Sequence, residues 1–149
     1  YEIVTQDKPF RGSYTGQYPL PIAADAFCYL TNDTIEACRV YDYEAEQRTT
    51  VYDLNAADGE DPYALFLSGS RALLTIENPN ATTEMELILF RDSYGSSIAP
   101  LLAQGYAKIT LIDIRYIAPE LLSRFVDFTG KDVLFLYSAT VLNSSNALR

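Results

Sequence analysis

The chain has 149 residues, 48% of them hydrophobic, which is the size of one ordinary domain and enough to bury a core. Eleven basic residues against twenty acidic ones give a formal net charge of −9, which sets nucleic-acid phosphates and anionic lipid aside as partners. The longest apolar runs, LILF at 87–90 and VLFLY at 133–137, fall far short of the ~20 residues that cross a bilayer, so no membrane span is expected.

The chain opens YEIVTQDKPF, with neither an initiator methionine nor the basic and apolar blocks of a signal peptide, and reads as a processed product or a fragment. The first half is tyrosine-rich and irregular. FRGSYTGQYPLP at 10–21 reads as loop, whereas AFCYL, ACRVYDY and TTVYDL read as short strands. Cys28 and Cys38 flank a turn at 31–34 that would bring the sulfurs together in a hairpin; a disulfide and two free thiols are both open readings. Paired Cys or Cys/His clusters at zinc spacing are absent, and no metal is expected. NAADGEDP at 55–62 is a polar, turn-rich connection. It divides a single predicted domain, 1–149, into an irregular β-rich part, 1–55, and a regular part, 56–149.

The second part alternates apolar strands at 72–76, 86–90, 109–114 and 132–137 with helical stretches at 97–104 and 118–127. Continuous apolar strands separated by helices predict an α/β fold with a parallel sheet covered on both faces. Ligand sites in such sheets lie beyond the carboxyl ends of the strands. Asp92, Ser93, Asp113, Arg115 and Ser138 all fall at or just past those ends.

Ser93 lies in ELILFRDSYGSSIAPLL. A helix starting near Ser97 would hold Pro100 in its first turn, where the missing N–H is harmless, and a serine would cap it. Ser93 then occupies the strand-to-helix turn, with Gly95 allowing close approach of a substrate and backbone N–H groups facing an oxyanion. The plainer reading is a hydrogen-bonded Asp-Ser turn. A serine nucleophile also needs a base, and the chain contains no histidine. The lysines, Lys8, Lys108 and Lys131, stand where solvation explains them better than a role as base, Lys108 and Lys131 immediately preceding strands at the opposite end of the sheet from Ser93. No Gly-x-Gly-x-x-Gly fingerprint or phosphate-binding lysine loop is present, so no nucleotide, flavin or other cofactor is expected.

LILFRDSYGSSIAPLLAQGYAKITLIDIRYI, continued by KDVLFLYSATVL and preceded by DPYALFLSGSRALLTIEN and FRGSY, resembles the C-terminal part of the bacterial DHHW family, over about residues 8–149. That family resembles SGNH (GDSL-like) hydrolases and the O-acetyltransferases of alginate modification. The resemblance implies a three-layer SGNH-like (flavodoxin-like) fold, mostly parallel, with helices on both faces, and matches Ser93, after Asp92, to the family's serine nucleophile. The partner Asp and His of the family's motif lie before the matched region. Gly69 and Ser70 match a Gly-Asn pair, Ser138 stands where Asn is frequent, and Arg115 matches an Asp-x-Arg-Tyr pattern that would bind an anionic or sugar group. An ion pair with Asp113 explains Arg115 equally well. Gly69, Ser70, Gly95, Arg115 and Ser138 are the implied oxyanion and substrate-binding residues.

The function so implied is the C-terminal part of an acyl-ester hydrolase or O-acetyltransferase acting on extracytoplasmic, cell-envelope carbohydrate, inactive in this chain alone. The alternative is a non-catalytic carbohydrate-binding or structural protein. Twelve tyrosines suit sugar stacking, although half-buried strand positions account for them more simply. A part cut from a larger sheet would expose an apolar edge, so the expected partners besides substrate are the missing N-terminal segment or a second copy.

Overall fold

The computed structural model describes residues 1–12, 21–59 and 61–144, and the chain divides into two compact units, Tyr1–Asn32 and Asp33–Arg149. Most of the expected loop at 10–21, and part of FRGSY, lies outside the described residues.

The first unit is an antiparallel pair, β1 (Glu2–Phe10) and β2 (Asp25–Thr31), in register from Glu2 opposite Thr31 to Phe10 opposite Asp25. The register shifts between Gln6 and Pro9. A bulge there accommodates a proline that cannot donate to the ladder. Phe10 and Phe27 stack at 4.9 Å between ring centroids.

The second unit runs α1 (Asp33–Ala37), β3 (Arg39–Asp42), β4 (Gln47–Thr49), β5 (Leu73–Glu77), β6 (Glu86–Arg91), α2 (Ser93–Leu102), β7 (Lys108–Ile112), β8 (Asp132–Leu136) and α3 (Ala139–Asn143). Among the described residues its strands form one six-stranded sheet in the order β4-β3-β5-β7-β6-β8. β6 is parallel to β7 and to β8, whereas β5 is antiparallel to β7 and to β3.

The predicted three-layer, mostly parallel sheet with helices on both faces is therefore corrected to a small mixed sheet with few helices. The connection from β5 to β6, residues 78–85, is too short for the dozen or more residues that a parallel crossover needs, so β5 runs the other way. Leu87 and Leu89 of β6 join Leu74, Ile76, Ile109 and Leu111 in a core under Ala99 and Ala103. This face is covered by α2. Ile88 and Phe90, pointing oppositely, pack with Leu73, Ile112, Leu122 and Val126. The expected helix at 118–127 is there only a 3₁₀ turn, Pro119–Arg124, so among the described residues no α-helix takes its place on this face. TTVYDL likewise yields only the end of β4 and an isolated bridge between Tyr52 and Phe66.

Both cysteines are free. Residues 33–37 form α1 rather than the far arm of a hairpin, so Cys38 follows a helix and donates its thiol to Thr34 O at 3.2 Å. The outer strand β8 is largely exposed, with Val133 46% and Phe135 65% accessible.

Candidate active site

β6, β7 and β8 run in the same direction, so their carboxyl ends deliver Asp92, Asp113 and Ser138 to one edge of the sheet. Hydrogen bonds join these ends. Asp92, 1% exposed, caps α2 by accepting from Tyr94 N–H at 3.0 Å through Oδ1, and accepts from Ser138 N–H at 2.7 Å through Oδ2. One carboxylate thus fixes both the start of α2 and the end of β8. Charge-assisted bonds of this kind contribute about 1.5–3 kcal/mol each. Ser138 in turn caps α3, its hydroxyl accepting from Val141 N–H at 3.3 Å.

Ser93 is the first residue of α2, a full turn earlier than the expected start near Ser97, because the Asp92 cap initiates the helix. Pro100 consequently sits inside the helix rather than in its first turn. Ser93 is half-buried, and neither its hydroxyl nor its backbone N–H is hydrogen-bonded. The adjoining amides are taken, Tyr94 N–H by Asp92 Oδ1 and Gly95 N–H by Asp92 O at 3.1 Å.

Gly95 serves the protein interior. A Cβ on it would lie 2.5 Å from Arg91 Cβ and 3.0 Å from Arg91 Cγ, so the glycine lets α2 settle on the end of β6. Arg91 itself is fully buried. Its Nη1 donates to Ser96 Oγ at 3.1 Å, its Nη2 donates to Arg71 O at 3.2 Å, and Nη1 lies 3.8 Å from Asp113 Oδ2. Burial pulls its guanidinium below the usual arginine range, opposed by Asp113.

Asp113, also without exposure, is the centre of the remaining charge. Arg115 grips it with two bonds, Nε to Oδ1 at 2.8 Å and Nη2 to Oδ2 at 2.6 Å, and this pairing raises the Arg115 pKa. The ion-pair reading of Arg115 is the one that the geometry realises. Tyr137, between β8 and Ser138, has a buried hydroxyl with no partner, and burial, with Asp113 and Asp92, pushes its pKa up to about 12.

Gly69 and Ser70 follow a left-handed run, with φ of 56° at Leu67, 57° at Ser68 and 89° at Gly69. Leu67 and Ser68 are unusual there, since left-handed backbone favours glycine. Gly69 N–H is committed to Phe66 O at 3.1 Å. Ser70 is exposed, with a hydroxyl that makes no hydrogen bond. Two ties hold this region at the site: Arg71 O accepts from Arg91 at the end of β6, and Tyr63 donates through its hydroxyl to Ser97 Oγ on α2 at 2.9 Å.

Sequence reasoning did not single out Arg91, Tyr63 or Tyr137. For Arg91 the signal is a charge directly after four apolar strand residues and four positions before a glycine. Lys131 and Lys108 are at the other end of the sheet, Lys131 bonded to Glu86 at 2.6 Å and Lys108 opening β7. Among the described residues no group of three or more His, Cys, Asp or Glu side chains is arranged to hold a metal ion, and no helix is long and apolar enough to cross a membrane. Two surface concavities, one of about 120 Å³ over Tyr41, Tyr43 and Thr75 and one along 123–129, are not lined by Ser93.

No family model matches the chain, and no curated protein matches it in sequence. Solved structures do match. A DHHW family protein from Eubacterium siraeum superposes with a TM-score of 0.74 at 24% identity, over 99% of this chain and 50% of that one. PatB1 of Bacillus cereus with a sulfonyl adduct gives 0.69 at 21% identity, over 95% of this chain and 48% of that one. A second structure of PatB1 gives 0.62 at 22% identity, over 83% and 43%. The chain spans about half the length of these proteins. At this level of identity the likeness is one of fold: the chain is built like about half of a DHHW family protein and of PatB1.

Proposed function

We propose that this chain supplies the nucleophile half of an acyl-transfer site of SGNH type, with Ser93 as the attacking hydroxyl. The carrying observation is the contrast at the strand ends. Asp92, Asp113, Arg91, Arg115 and the Ser138 amide are committed to one another or to backbone, whereas Ser93 keeps a free hydroxyl and a free N–H. It does so at the head of a ten-residue helix, where the amide dipoles favour developing negative charge.

In this reading Ser93 Oγ attacks the carbonyl carbon of an ester as its proton passes to a base, and Ser93 N–H receives the oxyanion, with the Ser70 hydroxyl as a second donor. The acyl–oxygen bond then breaks, the alcohol departing with the proton that the base had taken, and water or a sugar hydroxyl, giving up its own proton to the base, releases the acyl group from the serine, whose oxygen recovers that proton. Asp92 shapes the turn from below. The chain has no histidine, and in this reading the base is a histidine supplied from outside this sequence. The substrate class is an O-acylated, most simply O-acetylated, carbohydrate of the cell envelope, and the location extracytoplasmic; both rest on the fold likeness and on the DHHW resemblance. Half-length coverage of the matched proteins fits a site completed from elsewhere.

A sulfonyl fluoride tests the assignment, because it traps an activated serine, and PatB1 has been solved with a sulfonyl adduct. Added imidazole supplies the missing base. A sulfonyl group located on Ser93 by mass spectrometry supports the reading; modification spread over exposed tyrosines with none on Ser93 rejects it.

The second reading is a non-catalytic carbohydrate-binding or structural envelope protein. It is favoured by the two concavities that do not include Ser93. Saccharide binding that survives Ser93→Ala, without adduct formation in the parent, would select it.

A further inference from the structure

The Arg91 guanidinium is placed where a stability-driven sequence would put a hydrocarbon. It has no exposure, it ends a strand whose other inner positions are Leu87 and Leu89, and its Nε has no partner. Taking a cation out of water is unfavourable, and well-packed apolar groups of similar volume commonly stabilise such sites better. Asp113 does not require it, because Arg115 already holds both carboxylate oxygens. What Arg91 does instead is join segments, from the interior, as the Tyr63–Ser97 bond does nearer the surface. Nη1 reaches Ser96 on α2, and Nη2 reaches Arg71 O in the loop that carries Ser70. Those segments carry the Ser93 and Ser70 hydroxyl groups, neither of which is hydrogen-bonded.

We propose that Arg91 is the positioning residue of this site, its buried fork setting the spacing between the Ser93 end of α2 and the Ser70–Arg71 loop. The role rests on the reading of Ser93 as nucleophile, but the tie itself is independent of it. A lysine presents its three N–H donors from one nitrogen and cannot span Ser96 Oγ and Arg71 O as the rigid planar fork of arginine does. Arg91→Lys therefore keeps the charge and removes the span. Gly95 belongs to the same device, because the first turn of α2 must lie directly on Arg91 for Ser96 to receive Nη1.

The experiment compares the full chain with Arg91→Lys and with Ser96→Ala, which removes only the acceptor of Nη1. Amide hydrogen exchange is read at Tyr94 and Gly95 on one segment and at Gly69 and Ala72 on the other, with Thr75 and Leu111 as sheet references. Arg91→Lys should accelerate exchange at the first four amides about tenfold and leave the references unchanged. Sulfonyl fluoride labelling of Ser93 with imidazole should fall at least tenfold in Arg91→Lys and about threefold in Ser96→Ala, each read on protein well below its own denaturation transition so that lost stability does not enter the rate. A purely structural arginine would alter the midpoint and not the labelling rate of folded protein. If Arg91→Lys does not fold, Ser96→Ala decides alone. Folded variants with parent-like exchange at the four amides and parent-like labelling overturn the proposal. If the parent itself is never labelled, the nucleophile reading fails, and the exchange result still decides whether Arg91 ties the two segments.

Discussion

Gly95 lies against Arg91 so closely that a methyl group on the glycine would stand 2.5 Å from the arginine Cβ. The contact is made by backbone-proximal atoms at the end of a central strand, so neither partner can swing away cheaply. Alanine ordinarily stabilises a helix by about 1 kcal/mol relative to glycine. Here overpacking should reverse the sign. Gly95→Ala is expected to destabilise by about 1–3 kcal/mol, read as a lowered urea midpoint with unchanged slope.

Asp92 binds two amides with two oxygens, and an amide side chain cannot do the same, because one of its ends is a donor. Asp92→Asn should therefore cost about 1–3 kcal/mol. Faster amide exchange should appear at Ser138, or at Tyr94 if the amide turns the other way. Equal protection at both, with parent-like stability, would show that the cap carries little energy.

The buried strands of the sheet core are legible in the sequence, whereas the start of α2 is not, because Asp92 rather than a later serine caps the helix. LILF and ITLIDI are continuous apolar runs, which in a strand imply burial on both faces, and β6 and β7 are buried so. Burial says nothing of direction. ALLTI looks like its neighbours, but the short link at 78–85 turns β5 antiparallel, and that constraint sits in the connection rather than in the strand. The spacing of Leu122 and Val126 imitates a helix, yet the segment follows Pro119 into a 3₁₀ turn and only its apolar side chains matter to the core. β1 carries no strand signal in the sequence, because its half-buried positions, Val4, Gln6, Lys8 and Phe10, mix polar with apolar residues. At the site, Asp-Ser after an apolar run marks the strand end, whereas the Arg91 bond to Arg71 O joins residues 20 apart and has no local signature.

Burial in the first core pushes the Cys38 thiol from its ordinary 9.0 up to about 11. The unfolded chain releases this proton first, so between these values it binds fewer protons than the folded chain, and stability falls as pH rises. The stabilisation is complete below about pH 9 and is lost on approaching pH 11. The expected loss is ~2 kcal/mol, visible in denaturant midpoints at pH 8 and pH 11. Cys38→Ala should flatten that slope, leaving the part contributed by Tyr137, whose pKa is raised in the same direction.

The exposed face of β8 should drive association when nothing else covers it. Val133 is 46% exposed beside an unpaired strand edge, and an exposed apolar edge templates further pairing. Sedimentation at increasing concentration is expected to show self-association that Val133→Lys suppresses, since a charge on an edge strand opposes such pairing. A chain that stays monomeric throughout, with or without the lysine, would contradict this.

The most direct test concerns the hydroxyl at the head of α2. The full chain is treated with a sulfonyl fluoride across a range of imidazole concentrations, and the modified residue is identified by peptide mass. The account predicts one adduct, on Ser93, forming faster as neutral imidazole increases and absent from Ser93→Ala. No adduct on Ser93 at any imidazole concentration, in protein shown to be folded, would contradict it.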